Sequence, residues 1–187
     1  MIWIIVIVVV LLVLLVGIGV VGFNKLRTAD VEAQEALGGI DVQLTRRADL
    51  IPNLVSTVKG YATHERAVFD EVTAARAAAA GAAKGGSVAD KAAADARLDN
   101  AIVNVMAVAE AYPDLKASAN FQQLQAELSD TENKISFARQ FYNDAVSTLN
   151  KLVTTIPWMF FAGMAKVGQR EFYKAPEGQA TPPTVQF

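Results

Sequence analysis

Residues 46–54 read RRADLIPNL, and the course of the chain through them decides how many helices the fold contains. Asp49 is suited to cap a helix, and Pro52 would then lie in the first turn, where its missing N–H costs little. Arg46 and Arg47 would end the preceding helix, close to the negative end of its dipole. The apolar spacing also continues through the stretch, as in a single kinked helix. Comparable helix lengths favour a corner, as in an up-and-down bundle.

Outward from this stretch, the body of the chain is predicted to be helical. Apolar residues recur with steps of three and four, and strong helix formers are abundant. A link containing Gly85 and Gly86 ends the second helix, and Ser87 is a plausible cap for the third. Pro113 and Pro157 mark later boundaries. The predicted long helices cover residues 24–44, 50–80, 88–111 and 117–155, followed by a short C-terminal helix.

The N-terminus is predicted to cross a membrane. Residues 2–23 carry no charged side chain and are almost purely aliphatic. About 20 apolar residues in a helix span the hydrocarbon core of a bilayer. A cleavable signal peptide would instead need a basic leader, a shorter apolar core and a small-residue cleavage site. We therefore expect a transmembrane anchor at 2–23, a helical bundle at 24–174 and an extended, proline-rich tail at 175–187.

The charges predict an orientation and exclude one class of partner. Lys25 and Arg27 follow the apolar run directly, so the positive-inside rule favours an outside N-terminus and a cytoplasmic body. The net charge is −2, without the clustered basic residues that nucleic-acid binding requires. There is no cysteine, which excludes disulfides and thiolate chemistry.

Catalytic motifs are not found, and we expect neither an enzyme nor a bound metal or cofactor. Di-metal bundles use a Glu-x-x-His pair on each of two helices, whereas this chain has one histidine, His64, preceded at the third position by Tyr61. His64 could act as a pH switch or general base, but a surface or corner histidine is the simpler interpretation. The stretch AGAAKGGS lacks the spacing of a phosphate-binding loop and is interpreted as a linker.

Two groups of residues are candidates for interaction. Arg139, Tyr142 and Asn143 occur together in ARQFYND. They could recognise a partner or form a buried polar network with Glu132, but we favour hydrogen bonds to the predicted corner or to the YPDLK turn. Trp158, Phe160 and Phe161 would reach the membrane surface if the fourth helix returned towards it, or would close one end of the bundle. The C-terminal PPTVQF could dock on a neighbouring molecule or remain mobile.

Three blocks in order resemble the LemA family of bacterial membrane proteins. They are IDVQLTRRADLIPNLVSTVKGYATHE (40–65), AEAYPDLKASANFQQLQAEL (109–128) and ENKISFARQFYNDAV (132–146). The resemblance implies one N-terminal anchor in the bacterial inner membrane carrying an up-and-down four-helix bundle. It implies no particular reaction. This chain departs from the family pattern at Gly38-Gly39 and at PWMFF.

These observations predict a non-enzymatic scaffold or adaptor at a membrane. Its partners would be the bilayer, through residues 2–23, further copies of the same chain and other membrane proteins. Anchoring raises the effective concentration of like bundles, so weak lateral contacts become significant. The alternative is a membrane-tethered sensor or regulatory protein that holds a small ligand between its helices.

Overall fold

A computed structural model describes residues 1–62 and 64–174, and the predicted tail at 175–187 lies outside the described residues. Every regular element in that part of the chain is a helix. An apolar N-terminal helix, long bundle helices and a short C-terminal helix are present, so the predicted fold class is confirmed. The elements are α1 Ile2–Lys59, α2 Arg66–Gly85, α3 Val88–Glu110, α4 Pro113–Lys116, α5 Ala119–Thr154 and α6 Met159–Ala165.

The expected corner at residues 46–52 is wrong. The apolar anchor, the first predicted bundle helix and the start of the second form one continuous helix of 58 residues, α1, with Pro52 in its interior. The rest of the second predicted helix lies in α2. Asp49 and Pro52 lie on its exposed side. The chain turns later, after Lys59, where the N–H groups of Tyr61 and Ala62 both donate to the carbonyl of Val58. The unbroken apolar spacing was therefore the better guide than the local capping signals.

A side chain from the next helix compensates for the proline. Proline has no N–H, so Pro52 leaves the carbonyl of Ala48, four residues earlier, without its helical donor. Arg76 on α2 donates from Nε to this oxygen at 2.9 Å. Because Ala48 is 1% exposed, water could not easily serve instead. This long-range hydrogen bond satisfies the Ala48 carbonyl and so removes the penalty of the hydrogen bond that Pro52 cannot make.

Other boundaries follow the local signals. Ser87 and Asp90 form a capping box at the start of α3: the Ser87 N–H donates to the Asp90 carboxylate at 3.0 Å, and the Asp90 N–H donates to Ser87 Oγ at 3.1 Å. The helix ends at Glu110, shortly before Pro113, which begins the single turn α4. The predicted cap at Ser87 and the boundary at Pro113 are both confirmed.

The described chain divides into two compact units. The first contains residues 1–37 and 141–172, and the second contains residues 38–140 together with residues 173 and 174. The continuous helices α1 and α5 each contribute to both units. Apolar residues of α3 that recur with steps of three and four, Leu98, Ile102, Val105 and Ala109, are buried in the second unit, whereas Tyr61 is exposed beyond the end of α1. Buried apolar residues of the second unit include Ile51, Leu54, Val58, Phe69, Val72, Leu98, Ile102, Val105 and Phe121.

Buried residues in the first unit lie close to the end of the apolar run. They include Leu26, Ala29 and Ala33 of α1, together with Val146 and Leu149 of α5. The preceding part of α1 is different, because its large aliphatic side chains from Ile2 to Leu15 are all exposed. A helix of this length and hydropathy can cross a membrane. An aliphatic surface that nothing in the unit covers is suited to contact with lipid.

Candidate functional site

A cluster of charged side chains lies inside the second unit and forms the candidate site. One member comes from α1, two from α3 and two from α5, and the last follows α6. The members of this charge cluster are Arg47, Asp95, Asp99, Glu132, Arg139 and Tyr173. The helices supply the cluster from positions that face inward, so these side chains meet where apolar residues would be expected.

Arg47 bridges the carboxylates of two helices. The residue is 5% exposed. Its Nη1 atom lies 3.3 Å from Asp95 Oδ1 and 2.9 Å from Glu132 Oε2, and it also pairs with Asp99. A guanidinium presents several donors in one plane, so it can pair with more than one carboxylate. Arg47 therefore links α1 to both α3 and α5 within this unit.

Asp95 is the most buried acid of the charge cluster, at 1% exposure. Its carboxylate pairs with Arg47 and Arg139 and accepts a hydrogen bond from the Tyr173 hydroxyl at 2.9 Å. The Arg139 guanidinium also lies 5.5 Å from the centre of the Tyr173 ring. Burial and the neighbouring Asp95 raise the pKa of the Tyr173 hydroxyl, so it remains a hydrogen-bond donor at neutral pH. The two guanidiniums and the tyrosine hydroxyl thus compensate for the loss of water around the Asp95 carboxylate.

The charge cluster is poised to bind a proton. Three carboxylates face two guanidiniums, which leaves one excess negative charge when every acid is ionised. Burial raises the pKa of Asp99 from 3.8 to about 6; Arg47 opposes this shift, whereas the neighbouring acids add to it. Protonation of Asp99 balances the charges. The arrangement can therefore take up one proton slightly below neutral pH.

An open cleft of about 280 Å³ adjoins one side of the charge cluster. Arg47 and Glu132 contribute charge to its wall, and Gln125 and Ser129 contribute neutral polar groups. Ile102 and Met106 provide apolar surface. Glu132 is 41% exposed at its side chain, so the charge cluster is accessible to solvent on this side. A small polar molecule could be held here by a charged wall and an apolar floor.

The structure brings together only some of the predicted interaction residues. Arg47 and Arg139 both contact Asp95, whereas Arg46 and Asp49 are exposed. The predicted corner that Arg139 was expected to support does not exist, because α1 does not turn there.

Tyr142 and Asn143 belong to the first unit. The Tyr142 hydroxyl donates to the carbonyl of Glu171 at 2.8 Å, and Asn143 is half-buried. Nearby, the Asn150 side-chain amide accepts a hydrogen bond from the Arg170 N–H and donates one to the Arg170 carbonyl, each at 2.9 Å. These contacts fasten the segment after α6 to α5.

The aromatic residues proposed for the membrane surface lie beside the end of the apolar run. The Trp158 ring is 4.4 Å from Lys25 Nζ. Phe161 packs over Gly22, where a Cβ atom would overlap its ring. Phe160 is 69% exposed. Their contact with lipid stays a prediction.

Sequence reasoning named Glu132 but missed the two other acids of the charge cluster, Asp95 and Asp99. Asp95 and Asp99 are four residues apart, in register with the apolar stripe of Leu98 and Ile102, and that spacing was the available signal. Lys91 was also missed: it is 3% exposed, pairs with Asp41 and donates to the carbonyl of Ala83 at 3.1 Å.

His64 is exposed in the turn between α1 and α2. This position agrees with a surface or corner histidine. Among residues 1–62 and 64–174, no group of three or more histidine, cysteine, aspartate or glutamate side chains is arranged to hold a metal ion.

The long apolar helix and the helical bundle define an all-helical, membrane-associated protein. The LemA family model matches residues 36–187, and the chain belongs to the LemA family. Among relatives, it is 26% identical to the magnetosome proteins MamQ 1 and MamQ 2 of Paramagnetospirillum magneticum, over 183 residues covering 86% of this chain and 67% of each relative. It is 25% identical, with the same coverage, to the magnetosome protein MamQ of Magnetospirillum gryphiswaldense.

Proposed function

We propose that this protein is a membrane-anchored, non-enzymatic scaffold or adaptor that associates with further copies of itself. The observation that carries the proposal is a pair of exposed aromatic side chains on α5. Phe137 is 73% exposed and Phe141 is 66% exposed. Residues four apart lie on one face of a helix, so both rings lie on the same face of α5.

The surroundings of this aromatic pair support an association surface. One turn before Phe137 lies Lys134, paired with Asp130 at 2.7 Å, and one turn after Phe141 lies the exposed Asp144. An apolar centre with a charged rim is typical of protein–protein contacts. Confinement to a membrane increases the encounter rate of such patches, so a modest contact area suffices.

The internal pairing of the charge cluster also supports a structural role. Asp95 is almost fully buried, and its carboxylate is occupied by two guanidiniums and a tyrosine hydroxyl. A general base must instead reach a proton of its substrate. The observed contacts favour a cluster that holds three helices together in this unit.

The scaffold proposal predicts a defined oligomer of the detergent-extracted full chain. Mass photometry or light scattering should give a mass several times that of one chain, beyond the contribution of the detergent. Changing Phe137 and Phe141 to serine should reduce it to that of one chain. Val103→Ser, at a residue 64% exposed on α3, is the matched control and should leave the oligomer intact. A single chain at every concentration would overturn the proposal.

The alternative is a membrane-tethered sensor that binds a small ligand, and the cleft beside Arg47 favours it. Its polar and apolar walls are suited to a small polar metabolite. A ligand that binds only the folded protein raises the melting temperature. Screening metabolites by thermal shift, with Gln125→Leu and Ser129→Leu as cleft variants, tests this. A stabilising compound whose effect both variants abolish would support the sensor.

We further propose that the N-terminus is outside and the bundle cytoplasmic, in a bacterial inner membrane. Lys25 and Arg27, directly after the apolar run, support this orientation. A tag placed after Phe187 should resist labelling in intact cells and react after the inner membrane is permeabilised. Labelling after permeabilisation of the outer membrane alone would contradict the orientation.

A further inference from the structure

A groove of about 610 Å³ lies between the end of the apolar run and helix α6. We call it the α1–α6 groove, and it belongs entirely to the first unit. Its lining is apolar on both sides. The larger side chains that line it are Leu15, Val16, Val20 and Phe23 of α1 and Phe160 and Met164 of α6.

The groove is built by the docking of Phe161 onto Gly22 of α1. The ring lies so close to Gly22 that a Cβ atom there would overlap it. At Gly19 a Cβ atom would lie 3.9 Å from Phe161 Cε1, an ordinary contact. Gly19 therefore forms part of the groove wall without touching the ring. At Gly17 a Cβ atom would meet nothing within 4 Å, so this residue is outside the docking contact.

Positive charge follows both groove-lining segments in the sequence, with Lys25 two residues after Phe23 and Lys166 two residues after Met164. Lys25 is the first charged residue after the apolar run, and its ammonium lies over the Trp158 ring at 4.4 Å. Lys166, directly after α6, is exposed. Tryptophan and lysine are characteristic of the boundary between hydrocarbon and headgroups. A molecule with its tail in the groove would thus place its head beside Lys25.

We propose that the α1–α6 groove binds one acyl chain of an anionic phospholipid, with the lipid phosphate paired to Lys25. Three features support this occupant. The residues of α1 that line the groove belong to the segment that crosses the bilayer, where acyl chains are the solvent. The lining is apolar, as a hydrocarbon tail requires. Lys25, which follows the α1 wall of the groove, carries the positive charge that complements a phosphate.

A second transmembrane helix fits the groove less well. Close helix packing in membranes depends on small residues that allow backbones to approach. Phe161 already covers Gly22 and approaches Gly19. Bulky side chains form the rest of the wall, and Phe160 and Met164 project outward at 69% and 59% exposure. A flexible acyl chain can follow this uneven surface, whereas a helix would leave gaps and lose dispersion contacts.

The experiment measures the fluorescence of Trp158 in the full chain. The sequence has two tryptophans, so Trp3→Phe leaves Trp158 as the sole tryptophan. The protein is placed in vesicles of phosphatidylcholine with a minor fraction of phosphatidylglycerol, with bromine on the acyl chains of one lipid at a time. Brominated phosphatidylglycerol should quench the fluorescence of Trp158 more than its mole fraction in the vesicles predicts. We expect enrichment of about fivefold, equivalent to the roughly 1 kcal/mol that one lysine contributes near anionic lipid.

Matched variants separate the groove from the general lipid environment. Gly19→Leu should fill the groove and reduce the quenching to that expected from the bulk mole fraction. Gly17→Leu makes the same substitution two residues away, outside the groove, and should keep the enrichment. Lys25→Gln should retain quenching by total lipid but lose the preference for phosphatidylglycerol. Circular dichroism of each variant checks that the helices are intact.

Three results would overturn the proposal. One is quenching that follows the mole fraction of brominated lipid in the Trp3→Phe protein. Another is equal enrichment in Gly17→Leu and Gly19→Leu. The third is an oligomer that Gly19→Leu dissociates while the quenching stays unchanged, because the groove would then hold a second copy of the chain.

Discussion

Arg76 donates from Nε to the main-chain carbonyl of Ala48 at 2.9 Å, and this oxygen is the one that Pro52 leaves without a helical donor. The bond links α2 to α1 at the point where local rules predict a break. It converts a residue that normally ends or kinks a helix into part of a continuous one. The stability of α1 at Pro52 therefore depends on a residue 28 positions beyond Ala48.

Replacing Arg76 should expose this dependence. Arg76→Met leaves the buried Ala48 carbonyl unsatisfied, which should lower the free energy of unfolding by about 1–3 kcal/mol. In the Pro52→Ala background, the N–H of residue 52 can donate to the Ala48 carbonyl. Arg76→Met should therefore lower the free energy of unfolding clearly less in that background. A double-mutant cycle by denaturant unfolding measures the difference as a coupling energy. Arg97→Met, which removes an exposed pair with Glu71, is the control and should have little effect. Equal losses in both backgrounds would contradict the compensation.

Arg46 and Arg47 are neighbours in sequence but should differ strongly on substitution. Arg47→Met leaves the three acids of the charge cluster with Arg139 as their one remaining arginine. Removing one member of a buried ion pair costs about 3–5 kcal/mol. Arg46→Met changes an exposed residue and should stay within about 0.5 kcal/mol of the parent. Chemical denaturation in detergent compares the two. Similar losses would show that the charge cluster is not a stabilising element of the second unit.

Asp99 should make stability depend on pH. Its pKa is about 6 in the folded protein against 3.8 in the unfolded chain, so the folded state holds the proton more tightly. The contribution of Asp99 to stability should therefore fall as the pH rises from about 4 to about 6 and level off above that range. Asp99→Asn should remove this component.

The measurement is the difference in unfolding free energy between the parent and Asp99→Asn across that pH range. Asp95, Glu132, Arg47 and Arg139 surround the group and remain in both proteins, so the difference isolates one titration. Asp90→Asn serves as the opposite control, because the Ser87 cap lowers the pKa of Asp90. The contribution of Asp90 to the free energy of unfolding should be lost as the pH falls. A flat difference for Asp99→Asn would refute the shifted pKa.

Asn150 should hold the segment after α6 in place. Its amide makes two reciprocal hydrogen bonds with the main chain of Arg170, whose side chain also pairs with Asp30 at 2.8 Å. Asn150→Ala should speed amide hydrogen exchange over residues 167–173 by at least about fivefold, as expected when about 1 kcal/mol of local stability is lost. Thr148→Ala, on an exposed part of α5, should leave that exchange unchanged. Unchanged protection in Asn150→Ala would contradict this role.

Gly22 should be required for the docking of α6. A Cβ atom at residue 22 would overlap the Phe161 ring, so Gly22→Ala should displace α6 at a cost of about 1–3 kcal/mol. Combining it with Phe161→Ala should relieve the overlap. Gly17→Ala, where the new methyl meets nothing within 4 Å, is the control. Thermal unfolding in detergent reports the cost, and an equal effect of both glycine changes would exclude a specific contact.

Local patterns in the sequence were sufficient to predict the long apolar helix at the N-terminus, the helical class and several helix ends. These features depend on interactions within a few residues: an uncharged run in 2–23, the Ser87–Asp90 cap and the prolines at 113 and 157. The LemA resemblance agreed with them. The register of apolar residues also predicted most of the core, because residues on a helix repeat with a fixed period.

The course of α1 through Pro52 and the composition of the charge cluster depend on contacts between helices. Local energetics at Pro52 favour a turn, and the deciding hydrogen bond comes from Arg76 on another helix. Asp95 likewise becomes a central acid only when α1 and α5 bring Arg47 and Arg139 to it. Such contacts join residues about 30–50 positions apart, so their energies are absent from any local pattern.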